Sequence, residues 1–405
     1  MNKDLKKNVV PALRFPEFQD DDGWDEKKLG DVTYSLSKKN KEGIKLPIYS
    51  INNKEGFLPQ SIQFEGMDSN HRGYDITLYK IVGKKTFAYN PARIDVGSIG
   101  YSGELDNIII SSLYVCFKTN ELINDPFLLH FVKSNYFNQS VKKGVEGGIR
   151  NYLFYENFSI INILLPEIKE QQKIADCLSS VDDLITAQSE KIETLKKHKK
   201  GLMQQLFPTE GETVPQLRFP EFLEDEEWEV KPLSEISENL DYRRVPITEI
   251  DRVKGDVPYY GASGVIDYVK DFIFNDNLLC ISEDGANLLA RTYPIAFSIS
   301  GKTWVNNHAH VLKFENNFIQ VLTENYLNAI NVEDFLTGIA QPKLNRGTLD
   351  IIPIPIPKPK EQKKIAECLT TIDDLIAAEN EKLTTLKAHK KGLMQQLFPD
   401  TNEIE

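Results

Sequence analysis

The chain has 405 residues, with 48 Lys and Arg against 60 Asp and Glu, a formal net charge of −12. That is more than one hydrophobic core usually organises, so two or three domains are expected. With 40% hydrophobic, 10% aromatic and 27% charged residues, the composition excludes a disordered, collagenous or low-complexity protein. No window approaches eighteen uninterrupted apolar residues and MNKDLKKNVV has no apolar run, so a soluble, cytoplasmic protein is expected. Cys116, Cys177, Cys280 and Cys368 lie far apart with no CxxC, which argues against a disulfide framework and a cysteine-rich zinc site. The charge is uneven: residues 30–165 carry 15 basic and 13 acidic side chains, whereas 209–232 and 233–355 each contribute −6. Such a balance disfavours strong unaided DNA binding without excluding it.

In chain order, an N-terminal motif (1–29) contains PALRFPEF at 11–18 and Trp24. A body at 30–165 follows, then a helix at 166–208. An acidic linker at 209–232 repeats the motif as PQLRFPEF at 215–222, with Trp228. A second body occupies 233–355, a second helix 356–399, and a tail 400–405. The motif returns at an offset of 204 and the helix at an offset of 191, so the second body is 13 residues shorter. The chain is two copies of one module.

The helices read EQQKIADCLSSVDDLITAQSEKIETLKKHKKGLMQQLFP and EQKKIAECLTTIDDLIAAENEKLTTLKAHKKGLMQQLFP. In the first, Ile174, Leu178, Val181, Ile185, Gln188, Ile192, Leu195, Lys199, Leu202 and Leu206 recur in steps of four and three. Ile365, Leu369, Ile372, Ile376, Glu379, Leu383, Leu386, Lys390, Leu393 and Leu397 are their counterparts. The spacing predicts a heptad seam on helices of roughly 38 residues, about 57 Å long. Pro166 and Pro357 stand near the helix starts, and Pro208 and Pro399 mark the ends. Antiparallel packing of the two copies is expected, with an approximate two-fold axis and with Gln188 beside Glu379. These two and Lys199 and Lys390 are expected to set register or snorkel.

Each body opens with short β-branched and aromatic runs (LPIYSINN, GSIGYSG; VPYYGASGVIDYV, NLLCISEDGAN) and has one helical stretch, 126–143 or 323–337. A polar loop (GVEGGIRN; GIAQPKLNRG) and an apolar strand (FSIINILLP; LDIIPIPIP) lead into the long helix. The fold class is α+β: two α/β domains joined by two long antiparallel helices forming a coiled coil, with a pseudo-two-fold internal repeat.

Catalytic chemistry is missing. Gly301-Lys302-Thr303 lacks the earlier glycine of a P-loop, since that position is Ala296. Asn90-Pro91-Ala92 lacks the second proline and aromatic of an amino-methyltransferase loop. His308 and His310 alternate on one strand, but no further ligands stand at metal spacing. Glu167 and Glu361 fall at helix starts, where solvated charge is expected. The expectation is a binding protein that is not an enzyme and needs no cofactor or metal.

Across essentially the whole length, this arrangement resembles the specificity subunits of type I restriction–modification systems. The duplicated KEQ/KIA…DDLI…GLMQQLF helix, the duplicated LRFPEF motif, and YYGASGVIDYV, ISEDGAN and NNHAHVL carry the resemblance. It implies that each body reads one half of a split target in double-stranded DNA, and that the helices set the spacer. It also implies docking of two modification (methyltransferase) subunits, with restriction (translocase/nuclease) subunits joining through the complex. Candidate readers in the first domain are Lys38, Lys39, Asn52, Lys54, Arg93, Tyr101, Arg150 and Asn151. In the second they are Tyr242, Arg243, Arg244, Ser263, Lys302, Asn307, His308, Lys343, Asn345 and Arg346. Glu283 and Asp284 either accept from cytosine or stabilise a turn. The competing reading is a coiled-coil scaffold that binds protein partners only.

Overall fold

The structure is a computed structural model and describes residues 9–64, 66–144, 152–338 and 341–399. Two helices of 39 residues, Ile168–Leu206 (central) and Pro359–Leu397 (distal), dominate it. The chain divides into two compact units: Met1–Ala187 with Leu383–Glu405, and Gln188–Lys382. Each unit therefore holds one body and a segment of each helix.

Within each unit the two helix segments run antiparallel. In the first unit, Ile174, Ala175 and Leu178 share a core with Leu397 and Phe398, and Lys390 Nζ lies 2.5 Å from both oxygens of Asp182. In the second, Met203, Leu206 and Phe207 pack with Ile365 and Leu369, while Lys199 Nζ reaches Asp373 at 2.6 and 2.8 Å. The two lysines of the seam thus form equivalent ion pairs. Gln188 donates through Nε2 to the Glu379 carboxylate at 2.6 Å and to its backbone carbonyl at 2.9 Å. Lys191 binds the same carboxylate. A polar contact in an otherwise apolar seam lowers stability but fixes register.

The bodies follow one strand plan. The first unit contains β1 (Asp25–Lys28), β2 (Thr33–Leu36), β3 (Ile48–Asn52), β4 (Gly56–Pro59), β5 (Lys80–Val82), β6 (Phe87–Tyr89), β7 (Ile99–Tyr101), β8 (Ile108–Ile110), β9 (Val115–Thr119) and β10 (Asn162–Leu165). The second contains β11 (Glu229–Pro232), β12 (Ser237–Asn239), β13 (Lys254–Gly261), β14 (Gly264–Val269), β15 (Phe274–Asn275), β16 (Leu278–Ser282), β17 (Ala296–Ile299), β18 (Lys302–Val305), β19 (Ala309–Phe314) and β20 (Pro353–Ile356). The first body's sheets run β2-β9-β6-β7, β4-β3-β8-β5 and β1-β10; raising every number by ten gives the second body's sheets. In both, one pair is parallel (β3 with β8, β13 with β18) and the other pairs are antiparallel. The central strand β8, Ile-Ile-Ile, is buried on all three residues, as a strand covered on both faces should be.

The helical stretches differ from expectation. The first is two helices, Asp125–Phe131 and Asn135–Gly144. The second starts earlier, at Asn317, because Asn316 caps it by accepting from the Phe318 and Ile319 amides at 3.0 and 3.1 Å. It ends at Ala329 rather than 337. The apolar runs before the long helices are only partly strand: Tyr155–Ser159 and Arg346–Asp350 are short helices. Pro353 and Pro355 are tolerated in β20 because it pairs only with β11.

The duplicated motif clamps the long helices. Leu13 N donates to Gln396 O, and Leu217 N to Gln205 O, both at 2.9 Å. Arg14 grips Glu170 bidentately, Nε to Oε1 at 2.9 Å and Nη2 to Oε2 at 2.8 Å. It also donates to the Asp21 and Asp22 carbonyls at 2.8 and 3.0 Å. Arg218 repeats every distance on Glu361 and on the Asp225 and Glu226 carbonyls. Glu361 is therefore a buried, paired carboxylate, 1% exposed, which corrects the expectation of solvated charge. Glu170 is its structural counterpart and equally buried. The next residues, Gln171 and Gln362, donate back to the Pro166 and Pro357 carbonyls at 2.9 and 2.8 Å and close the helix starts.

Candidate nucleic-acid interface

In the second body four chain segments converge beyond the ends of β13, β16 and β18. The turn after β13 is tied to the end of β16 by Ser282 Oγ, which donates to Ala262 O at 2.6 Å. Glu283 N donates to His308 O at 2.9 Å, Leu344 N to Glu283 O at 2.8 Å, and Gly285 N to Pro342 O at 3.1 Å. Ser263, Asn307, His308, Lys343 and Asn345 are thereby brought to one end of the domain, with Tyr242 and Arg244 alongside.

Charge organises this cluster. His310, at 1% exposure, places Nδ1 2.6 Å from Asp241 and donates through Nε2 to Leu344 O at 2.8 Å. Arg244 donates through Nη1 to Glu283 at 2.6 Å and to Ala309 O at 2.8 Å, and its Nη2 lies 3.4 Å from Asp241. Lys343 Nζ reaches the other Glu283 oxygen at 3.1 Å. Burial pushes the Asp241 carboxyl up, but the His310 contacts, the Val311 amide and Arg244 together hold it below the usual range. Glu283 is held low in the same way: Arg244, His310 and Lys343 outweigh its burial. His308 Nδ1 faces Asp284 at 2.8 Å. Both acidic side chains of the SEDGAN segment are thus engaged within the domain.

The remaining candidates divide by role. Arg244 is mostly buried and spent on internal partners, and Asn345 donates to the Thr337 hydroxyl at 2.7 Å. Tyr242, Asn307, His308, Lys343 and Arg346 are exposed and form the rim. Arg346 Nε stands 3.5 Å from Asp350, a pair weak enough to exchange for a phosphate. Arg243 donates to Ile273 O at 2.8 Å and lies over the Phe274 ring. Lys302 stands at the other end of β18, over Phe272, apart from the cluster.

The first body builds the corresponding end differently. Asn52 Oδ1 accepts from the Lys54 and Glu55 amides at 3.0 and 2.7 Å, shaping the β3–β4 turn. Ser98 Oγ donates to Ile51 O at 3.1 Å, and Leu153 N to Pro91 O at 2.9 Å. Asn52, Lys54 and Arg93 therefore share this end. Arg150 and Asn151 lie outside the described residues. Tyr101 faces inward: its hydroxyl donates to Asp125 at 2.6 Å, and burial together with that carboxylate pushes its pKa up. Lys38 and Lys39 are exposed beside β5, with Ile81 N donating to Lys38 O at 2.8 Å.

Reasoning from residue patterns passed over Arg14, Glu170 and Arg218, whose signal was a motif arginine and a helix-start glutamate duplicated together. It also passed over Asp241 and assigned no partners to His310. Among the described residues no group of three or more His, Cys, Asp and Glu could hold a metal ion, and no helix is long and apolar enough to cross a membrane.

The family model for the type I restriction modification DNA specificity domain matches residues 21–197 and again 225–388. A putative type I restriction enzyme MjaX specificity subunit from Methanocaldococcus jannaschii is 25% identical over 414 residues, 93% of this chain and 92% of the relative. A putative specificity subunit from Haemophilus influenzae, S.HindORF215P, is 36% identical over 153 residues, covering 38% of this chain and only 39% of that protein. Among solved structures, the type I system S subunit from M. genitalium aligns over 97% of this chain and 100% of its own, with a TM-score of 0.61 and 14% identity. A chain from a structure on complex assembly and conformational transition of the type I R-M system covers 93% of this chain and 97% of its own, with a TM-score of 0.56 and 15% identity. With both halves matched, the chain belongs to the type I restriction modification DNA specificity family and carries that family's recognition domain twice.

Proposed function

We propose that each domain reads one half of a bipartite, asymmetric target in double-stranded DNA, and that the long helices set the spacer and dock two modification subunits. Restriction subunits join through that complex, and the assembly works in the cytoplasm. The observation that carries this reading is the contrast between the two units. The Arg–Glu clamp and the Lys–Asp helix pairs repeat to within 0.3 Å, while the described rims are built differently, with Tyr242 and His308 of the second having no counterpart among Asn52, Lys54 and Arg93 of the first. Two unlike readers on one duplicated frame suit two different half-sites at a fixed separation. In the second domain Tyr242, His308, Lys343 and Arg346 are the proposed contacts, with Arg244 and His310 positioning them. In the first, Asn52, Lys54 and Arg93 take that role. The net acidity is tolerable where partner subunits supply part of the phosphate neutralisation.

The test is co-expression with the cognate modification subunit in a host lacking that methylation, followed by genome-wide mapping of N6-methyladenine. Two short specific blocks around a fixed spacer are expected, and exchanging residues 233–355 for another body should alter one block. A stable complex that methylates no split motif would refute the reading.

A further inference from the structure

The two bodies share one strand plan yet differ by 13 residues, and the connection between β4 and β5 is longer by 16, partly offset elsewhere. Residues 60–79 make that connection in the first body, whereas residues 270–273 suffice between β14 and β15. The longer connection is built around a buried polar centre. Gln60 Oε1 accepts from Ser69 N and Oγ at 3.0 and 2.8 Å, and the Tyr79 hydroxyl donates to Ser69 Oγ at 2.8 Å. Asp75 accepts from Thr77 N and Oγ1, and Asp68 from His71 N, with His71 Nδ1 2.8 Å away.

The described residues of this stretch, 60–64 and 66–79, display apolar groups. Ile62, Phe64, Met67, Tyr74 and Leu78 are between 36% and 69% exposed. The Arg72 guanidinium lies 4.3 Å from the Phe64 ring centre and 5.4 Å from that of Tyr74. Among the described residues no carboxylate pairs with it. Docked against the stretch is a second loop bearing Lys38, Lys39, Lys41 and Lys45, all exposed. Asn40 fixes it there, donating from its amide to Tyr79 O at 2.8 Å and from its side chain to Ile44 O at 2.9 Å. Gly43, at φ 62°, takes the left-handed backbone conformation that the loop's turn needs.

We propose that residues 60–64 and 66–79, together with the loop from Lys38 to Lys45, form an extra contact surface for duplex DNA that only the first domain possesses. This rests on the DNA-reading function proposed above and extends it to a surface outside the turn cluster. Charge selects the occupant. Among the described residues Asp68 and Asp75 are engaged within the stretch and Glu42 is the one exposed carboxylate left in the loop, against Arg72 and four lysines facing outward on a chain of net charge −12. A phosphodiester backbone matches such a surface: phosphates meet the cations, and deoxyribose faces meet the exposed rings and aliphatic groups. The first half-site is therefore gripped beyond its recognised bases, and the second is not.

The experiment measures binding of the complex with modification subunits to a duplex carrying its methylation target, across a salt series. Arg72→Glu should weaken binding about tenfold and lower the slope of log K against log salt by about one. The variant Phe64→Ser/Tyr74→Ser should also weaken binding, and the bases methylated should not change in either case. Arg72 is exposed, so its substitution keeps the test valid if the double variant misfolds. Unchanged affinity and slope in Arg72→Glu would overturn the proposal while leaving the DNA reading intact. Loss of modification-subunit binding by a folded Arg72→Glu chain would overturn it too, by making the surface a protein interface. A wild-type complex that methylates no split motif would sink the DNA reading, and this proposal with it.

Discussion

Replacing Arg218 with methionine removes the guanidinium that grips Glu361, a carboxylate 1% exposed in the second unit. Both partners are buried, so the change leaves an uncompensated charge rather than a lost surface contact. Breaking such a pair from one side costs about 3–5 kcal/mol, against at most about 1 kcal/mol for an exposed ion pair. Trp228, 3% exposed and in the same core as the clamped helix segments, is a local reporter. In a Trp24→Phe/Trp304→Phe background its fluorescence follows unfolding of this unit alone. With a urea slope of roughly 3 kcal/mol per M, a loss of about 4 kcal/mol moves the midpoint down by about 1.3 M. Arg218→Lys keeps the charge but not the fork, so it should fall in between. Arg218→Met/Glu361→Met removes both charges and should recover most of the loss, because a buried pair gains little over apolar groups of similar size. A single-variant shift below about 0.3 M, or a double variant no better than the single, would refute the clamp argument. Arg14→Met, read through Trp24, should behave alike, since its contacts repeat those distances.

Three further expectations follow from the same geometry. His130 is buried, with Nε2 3.1 Å from Ser179 Oγ; burial, aided by Lys390, pushes its pKa down to about 4 from 6.5. The unfolded chain then binds the extra proton first, so this stability is complete above about pH 6.5 and falls as pH drops toward 4. The full effect is about 3 kcal/mol, and His130→Gln should flatten the pH dependence of urea midpoints in that window; an unchanged curve would contradict it. Gln188→Leu/Glu379→Leu should raise the melting temperature while loosening register, seen as more than one spacer length in the methylation map. Arg346→Ala should relax recognition or weaken methylation through the second half-site alone, and equal losses at both blocks would count against its assignment.

The duplication and the long helices were legible because they rest on near-identical residues and a heptad period that survive without tertiary context. The common strand plan was not. β6 (Phe87–Tyr89) and β16 (Leu278–Ser282) occupy the same place with no shared sequence, and strands of two to eight residues carry too little alternation to align. The clamp was half visible: Arg14 and Arg218 stood in the duplicated motif, but their carboxylates lie 156 and 143 residues further on. Helix-start glutamates are usually solvated, which is why Glu361 was misjudged. Among the candidate readers, exposure separated what residue type could not. Arg244 and Arg346 look equivalent on paper, yet one holds Glu283 and the Ala309 carbonyl inside the domain and the other stands on its rim.

Keeping two helices nearly identical while the bodies diverge imposes a condition on each body. The same Lys–Asp pair recurs in both units, Lys390 with Asp182 and Lys199 with Asp373, and each must be met by whatever body packs there. The first body presents His130, kept neutral by burial and the nearby lysine. The second presents Glu324, whose carboxyl burial pushes up while a Ser298 hydrogen bond and Lys199 pull it back. The two bodies thus set different titratable groups beside the same pair, and burial disfavours the charged form of each. The apolar contact beside them is met alike: Phe398 packs on Phe127 at 5.3 Å, and Phe207 on Tyr326 at 5.4 Å. A body can thus change its rim freely so long as its helix offers an aromatic ring and a buried polar group to the Lys–Asp pair. That is the physical content of a recognition domain that can be exchanged on a fixed frame, and it places the constraint on the helix-facing surface of each body rather than on the rim proposed to meet DNA.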